Sequence, residues 1–85
     1  MTSSRFTEIG EPVKVGAVFD KARIFPKWFF YKGSRYKLEK VNYEWVDFRG
    51  SSRILCYAVS DGNNLYELSL NMKMLSWRLE KIYLE

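Results

Sequence analysis

The sequence predicts an all-β domain: a small antiparallel barrel or strongly curled sheet of five to six strands, of SH3-like type. Three observations predict it. Apolar residues alternate with polar ones at a period of two in several short stretches. Turn signals separate short stretches at Gly33-Ser34, Gly50-Ser51-Ser52, Asp61-Gly62-Asn63-Asn64 and Asn71–Lys73, the last three about ten residues apart. The alternation twice slips by one residue, as it does where a strand bulges and bends.

The elements follow in order. Residues 1–10 are polar, end on Gly10 and read as a flexible arm, leaving 11–85 as a single domain. A strand begins near Pro12, where Val13 and Val15 alternate with Lys14 and Gly16. Asp20–Pro26 reads as a connection, since a proline disfavours helix at the residue before it. Trp28–Lys32 is a strand with large rings on both faces. Gly33-Ser34 fits a two-residue hairpin loop of type II′, with glycine first.

The next strand starts at Arg35. Tyr36 and Leu38 are out of phase with Val41, Tyr43 and Trp45, so one extra residue is expected at Glu39-Lys40. Arg53–Ser60 is apolar along much of its length, as a central strand would be. Leu65–Leu70 follows, with Tyr66, Leu68 and Leu70 on one face. The last segment is ambiguous. Met72, Leu75, Leu79 and Ile82 have helix-compatible spacing, which would make the fold α+β, whereas Leu75, Trp77 and Leu79 alternate as in a strand. A second slip is expected at Glu80-Lys81. The core is expected to draw on Val13, Val15, Phe29, Leu38, Val41, Trp45, Ile54, Cys56, Tyr66, Leu68, Trp77, Leu79 and Ile82.

Composition suits one folded domain. Of 85 residues, 47% are hydrophobic, 28% charged and 18% aromatic. Large rings fill a small core efficiently, each burying roughly 150–250 Å². Cys56 is the sole cysteine, so no intrachain disulfide forms. The N-terminal stretch lacks the apolar run of a signal peptide. No stretch approaches the roughly 18 apolar residues of a membrane span. A cytoplasmic protein with no membrane association is the expectation.

The net charge of +4 is unevenly spread. Residues 21–40 carry Lys21, Arg23, Lys27, Lys32, Arg35, Lys37 and Lys40 against Glu39 alone. Such asymmetry suits an anionic partner, although lysines also guard strand edges.

The catalytic inventory is thin. The chain has no histidine, which removes the usual base near neutral pH and the histidine-containing metal and nucleophile patterns. Cys56 lies in the most apolar stretch, as a core cysteine does. Asp61-Gly62-Asn63 is a turn rather than a calcium loop, because Asn71 and Met72 stand where a bidentate glutamate is needed. No phosphate-binding glycine loop occurs. The expectation is a protein that is not an enzyme, with no catalytic residues, metal or cofactor.

What remains is the aromatic, cationic stretch. Lys27, Trp28, Phe30, Tyr31, Lys32, Arg35, Tyr36 and Lys37 supply rings that could stack bases and cations that could follow phosphates. The first expectation is a non-catalytic protein-interaction or accessory module with an unidentified partner. The alternative is weak nucleic-acid binding through the basic hairpin, residues 27–40. Oligomeric state is not fixed by the sequence.

Pro26, Phe29, Tyr31, Lys32-Gly33-Ser34-Arg35-Tyr36, Trp45, Tyr66-Glu67-Leu68 and Trp77-Arg78-Leu79 together resemble a family of small bacterial proteins of unknown function. Those proteins typically have Trp-Arg-Gly-Arg where this chain has Tyr31-Lys32-Gly33-Ser34. Some are encoded beside error-prone DNA polymerases, so the resemblance implies a role near DNA repair. It also implies a final strand rather than a final helix.

Overall fold

The computed structural model describes residues 5–84, and all of the regular structure is β. The strands are β1 (Arg5–Pro12), β2 (Lys14–Asp20), β3 (Arg23–Tyr31), β4 (Ser34–Lys37), β5 (Lys40–Arg49), β6 (Ser52–Ser60), β7 (Leu65–Asn71) and β8 (Ser76–Leu84). They form two antiparallel sheets. One is five-stranded in the order β1-β8-β7-β6-β5, and the other is three-stranded in the order β2-β3-β4. The C-terminal segment is therefore a strand, and the helical alternative is set aside.

The sheets do not close into a barrel, and eight strands replace the expected five or six. The strand number has a plain cause: two extended segments each change sheets midway. β1 passes into β2 at Val13, whose N–H donates to Trp77 O at 3.1 Å. β4 passes into β5 at Leu38-Glu39, where Leu38 N–H donates to Lys27 O of the small sheet and Glu39 N–H to Ser60 O of the large one, at 2.9 and 2.8 Å. The backbone stays extended through such a crossing, so alternation alone does not mark it. Residues 1–10 were expected to be an arm; from Arg5 onward they are strand, paired with β8 from Arg5↔Leu84 to Pro12↔Arg78. Met1–Ser4 lie outside the described residues.

The small sheet packs on one face of the large one. Phe29, Leu38, Tyr57, Val59, Tyr66, Leu68 and Leu79 make the buried cluster, with Ile9, Val13, Val15, Tyr31, Tyr36, Val41, Leu55, Trp77 and Ile82 packed around it. Each fully buried apolar side chain contributes about 1.5–3 kcal/mol. Register explains the membership. Tyr57 lies opposite Leu68, Val59 opposite Tyr66 and Leu55 opposite Leu70, all on the inner face. Three rings tie the sheets together: Phe29 stacks on Tyr36 at 4.9 Å, and Tyr66 of the large sheet meets both edge-on at 5.1 and 5.7 Å.

The bulges decide which side chains face inward. On β8, Leu79 pairs with Leu68 and Lys81 with Glu67, leaving Glu80 as the extra residue where the second slip was expected. The first slip differs. The sheet change falls at Leu38-Glu39, and the bulge lies further on at Asn42, between the pairs Val41↔Val59 and Tyr43↔Ala58. That bulge turns Tyr43 and Trp45 to the outer face of the large sheet. Trp45 is thus not in the core; it stacks beside Tyr43 at 5.6 Å. Ile54 and Cys56 are buried, yet on that same outer face rather than in the central cluster.

The turns also differ in detail. Tyr31 pairs with Ser34, so the loop is Lys32-Gly33, not Gly33-Ser34. Both loop residues have positive φ, 49° and 79°, which is the type I′ pattern. The connection expected over Asp20–Pro26 is only Lys21-Ala22, and β3 begins at Arg23. Pro26 fits within β3 because β4 does not extend past Trp28 and a bulge adjoins it at Lys27.

Candidate functional site

The outer face of the small sheet is where cations converge on outward-facing rings, Phe30 exposed and Trp28 and Phe25 half-buried. Alternation along β3 sends Phe29 and Tyr31 to the core and Trp28 and Phe30 outward. Register then fixes their neighbours. Phe30 lies between Lys14 of β2 and Arg35 of β4, and Trp28 between Gly16 and Lys37. The Trp28 and Phe30 rings meet edge to face at 5.6 Å, and the Arg35 guanidinium lies 5.4 Å from the Trp28 ring. Phe30 is 41% exposed, so its ring is open to a ligand.

A second aromatic unit continues this face. Lys27 is the extra residue of the β3 bulge, and its ammonium lies 5.9 Å from the Phe25 ring. Arg23 approaches the same ring at 5.0 Å and also pairs with Glu44 of β5. Among the described residues, the acid in register on this face is Asp20, at the far end of the hairpin opposite Arg23. The result is a slab of rings rimmed by Lys14, Lys27, Arg35 and Lys37. Cations held over ring faces gain from the quadrupole while keeping donors free for phosphate.

Of the eight residues singled out from the sequence, Lys27, Trp28, Phe30, Arg35 and Lys37 come together here. Tyr31 and Tyr36 do not; they pack against the core, Tyr36 on Phe29. Lys32 sits in the turn, its ammonium 5.5 Å from the Tyr31 ring, at the edge of the face. Sequence reasoning missed Lys14 and Phe25, and counted Arg23 among the cations without placing it in the site. The outward direction of Lys14 was legible from its alternation with Val13 and Val15, but its place opposite Phe30 required the β2–β3 register.

Two further features bear on chemistry. A cleft of about 390 Å³ opens between the sheets, with Ile24, Val46, Leu55, Tyr57 and Met72 among its lining residues and the Arg23–Glu44 pair at its rim. Tyr57 is 2% exposed, and burial, with Glu44 nearby, pushes its hydroxyl up to about 12. On the outer face of the large sheet, Ser69 donates to Glu80 at 2.6 Å, and Arg49 and Arg78 flank the same carboxylate at 3.4 and 3.7 Å. This is a neutralised structural cluster around the bulged Glu80. Among the described residues, no group of three or more His, Cys, Asp or Glu is placed to hold a metal ion, and no helix is long and apolar enough to cross a membrane.

No family model matches the chain, and neither curated proteins nor solved structures include a match to it.

Proposed function

We propose that the protein is a non-catalytic binding domain and that the outer face of β2-β3-β4 takes single-stranded nucleic acid. One observation carries this reading: Trp28 and Phe30 stand side by side and outward, with Lys14, Arg35 and Lys37 in register around them. Bases stack on rings regardless of sequence, and cations at the rim follow the phosphates. A flexible single strand can splay its bases onto such adjoining rings. The resemblance noted above implies a setting near DNA repair, and this ligand fits that setting. We propose the cytoplasm as the compartment, in keeping with an unpaired, buried Cys56. An SH3-like kinship is proposed on the meander of short antiparallel strands alone.

The test is a titration of a labelled oligonucleotide, single- and double-stranded, at two salt concentrations. The expected outcome is tighter binding of the single strand, quenching of tryptophan emission and a steep loss of affinity with salt. Replacing Lys14, Arg35 and Lys37 by glutamate should abolish binding while the dichroism spectrum is kept. Absence of binding by the folded wild type at low salt would remove the proposal.

A second reading, the protein-interaction module, is favoured by the open edge of β5, where Tyr43, Val46 and Phe48 are exposed.

A further inference from the structure

We infer that β5 pairs with β5 of a second copy of this chain, in antiparallel register centred on Val46, so that two five-stranded sheets join edge to edge. This is independent of the nucleic-acid reading, which concerns the other sheet.

β5 is an edge strand of the large sheet, bonded to β6 alone. Protein edges are ordinarily blunted by short length, lysine, proline or a bulge. From Tyr43 to Arg49 this edge has no lysine, proline or bulge; it carries Glu44, Asp47 and Arg49, and Glu44, on the inner face, is already paired with Arg23. The bulge at Asn42 lies before the run and the Gly50-Ser51 turn after it. The exposed side chains on the run are large: Tyr43 and Phe48 are each 66% exposed and Val46 45%.

The direction of the backbone groups follows from the hairpin. Arg49 and Ser52 close the two-residue loop, so they and every second pair beyond are the hydrogen-bonded ones. Residues 43, 45, 47 and 49 thus bond β6, while Glu44, Val46 and Phe48 turn their N–H and C=O outward. Two bonds agree with this. The carbonyl of Arg53, opposite Phe48, is taken by Met72 N–H on the far side. The N–H of Phe48 is met by the carboxylate of its own neighbour Asp47 at 2.8 Å, a local stand-in for a strand partner.

The edge is self-complementary, since the outward groups of Glu44, Val46 and Phe48 can bond the same groups of a second copy, and like-charge repulsion narrows the register. A two-fold axis normal to the sheet keeps inner faces together, so a residue must meet one of the same parity. Centring on Glu44 or Asp47 would place like charges opposite each other. Centring on Val46, the midpoint of the straight run, uses all of it. Val46 then meets Val46, Glu44 meets Phe48, Trp45 meets Asp47 and Tyr43 meets Arg49, with no like charges opposed. Outward N–H and C=O groups of 44, 46 and 48 find partners in that register, and the exposed inner-face residues Val46 and Phe48 are covered.

Sedimentation velocity over a concentration series tests this. The mass of two chains is expected at high concentration. Val46→Pro removes the outward N–H without touching the β6 ladder, and Val46→Lys guards the edge. Each should give the mass of one chain with an unchanged β spectrum. In a Cys56→Ala background, Val46→Cys should form an interchain disulfide on mild oxidation, since opposed Cα atoms about 5.5 Å apart lie within disulfide range, and Phe48→Cys should not. A monomer at every concentration, a dimer that survives Val46→Lys, or crosslinking at 48 in place of 46 would overturn the inference.

Discussion

Trp28 packs so closely on Gly16 that a Cβ at position 16 would stand 2.1 Å from Trp28 Cε2. The two residues face each other across β2 and β3, and the glycine is what lets the indole lie against the sheet. Gly16→Ala must therefore push the ring away or bend β2, at a cost of about 1–3 kcal/mol. The charge of the outer face is unchanged. Urea unfolding should show the lower stability, and an oligonucleotide titration should show weaker binding with the same salt slope. Unaltered affinity in this variant would mean that Trp28 stacks no base.

Asp61 organises the β6–β7 loop and links it to the core. Its carboxylate accepts from the N–H groups of Asn63 and Asn64 at 2.9 and 2.8 Å and from the Tyr66 hydroxyl at 2.7 Å. Burial raises its pKa, but the bonds from Asn64, Tyr66 and Asn63 outweigh that and hold it below the usual carboxylate range. A depressed folded value means stabilisation that is present above the unfolded pKa, about 3.9, and lost as pH falls through the folded one. Asp61→Ala should lower stability at neutral pH by about 1–3 kcal/mol. Asp61→Asn should flatten the loss of stability below about pH 4. A denaturant series from neutral to acid pH measures both.

How far these features were legible in the sequence depends on what alternation reports. Period two marked the strands, and Val13, Val15, Phe29, Leu38, Tyr66, Leu68 and Leu79 fell inward as the pattern required. It could not mark Val13 or Leu38-Glu39 as sheet crossings, because the chain stays extended there. It mislaid Trp45, since a bulge three residues earlier reverses every later side chain. It passed over Tyr57 and Val59, because β6 is apolar on both faces and gives no contrast. Half of the outer face of the small sheet was visible as an aromatic, basic stretch; Lys14 and Phe25 joined it only through cross-strand register.

Burial of Cys56 pushes its thiol up to about 11, with Glu67 and Asp47 adding to the effect. The side chain is nearly inaccessible on the outer face of β6, beside Trp45 in register. Only the thiolate attacks an aromatic disulfide reagent. At neutral pH the native protein should react at least a hundredfold more slowly than the chain in denaturant. Rapid labelling under native conditions would show that β5 and β6 separate readily. Tyr57 and Tyr66 behave in parallel, both raised to about 12 by burial. For a phenol whose folded value is raised, stability is complete below the unfolded pKa near 10 and is lost as pH climbs towards 12.

Lys21 and Ala22 form the β2–β3 turn with φ of 48° and 67°, a left-handed pair without glycine. L-residues pay roughly 1–2 kcal/mol each for that region, and Asn and Gly relieve most of it. The turn is exposed, and neither side chain forms a hydrogen bond or ion pair among the described residues. Replacing Lys21-Ala22 by Asn-Gly should therefore raise stability by about 1–2 kcal/mol, shifting the urea midpoint upward with the slope unchanged. Because the Lys14–Phe30 and Gly16–Trp28 pairs lie further along the same hairpin, their register should be held more firmly. Affinity for a single strand should stay the same or rise slightly, even with the charge of Lys21 removed. A drop in affinity together with a gain in stability would place Lys21 among the phosphate contacts and extend the interface to the end of the hairpin.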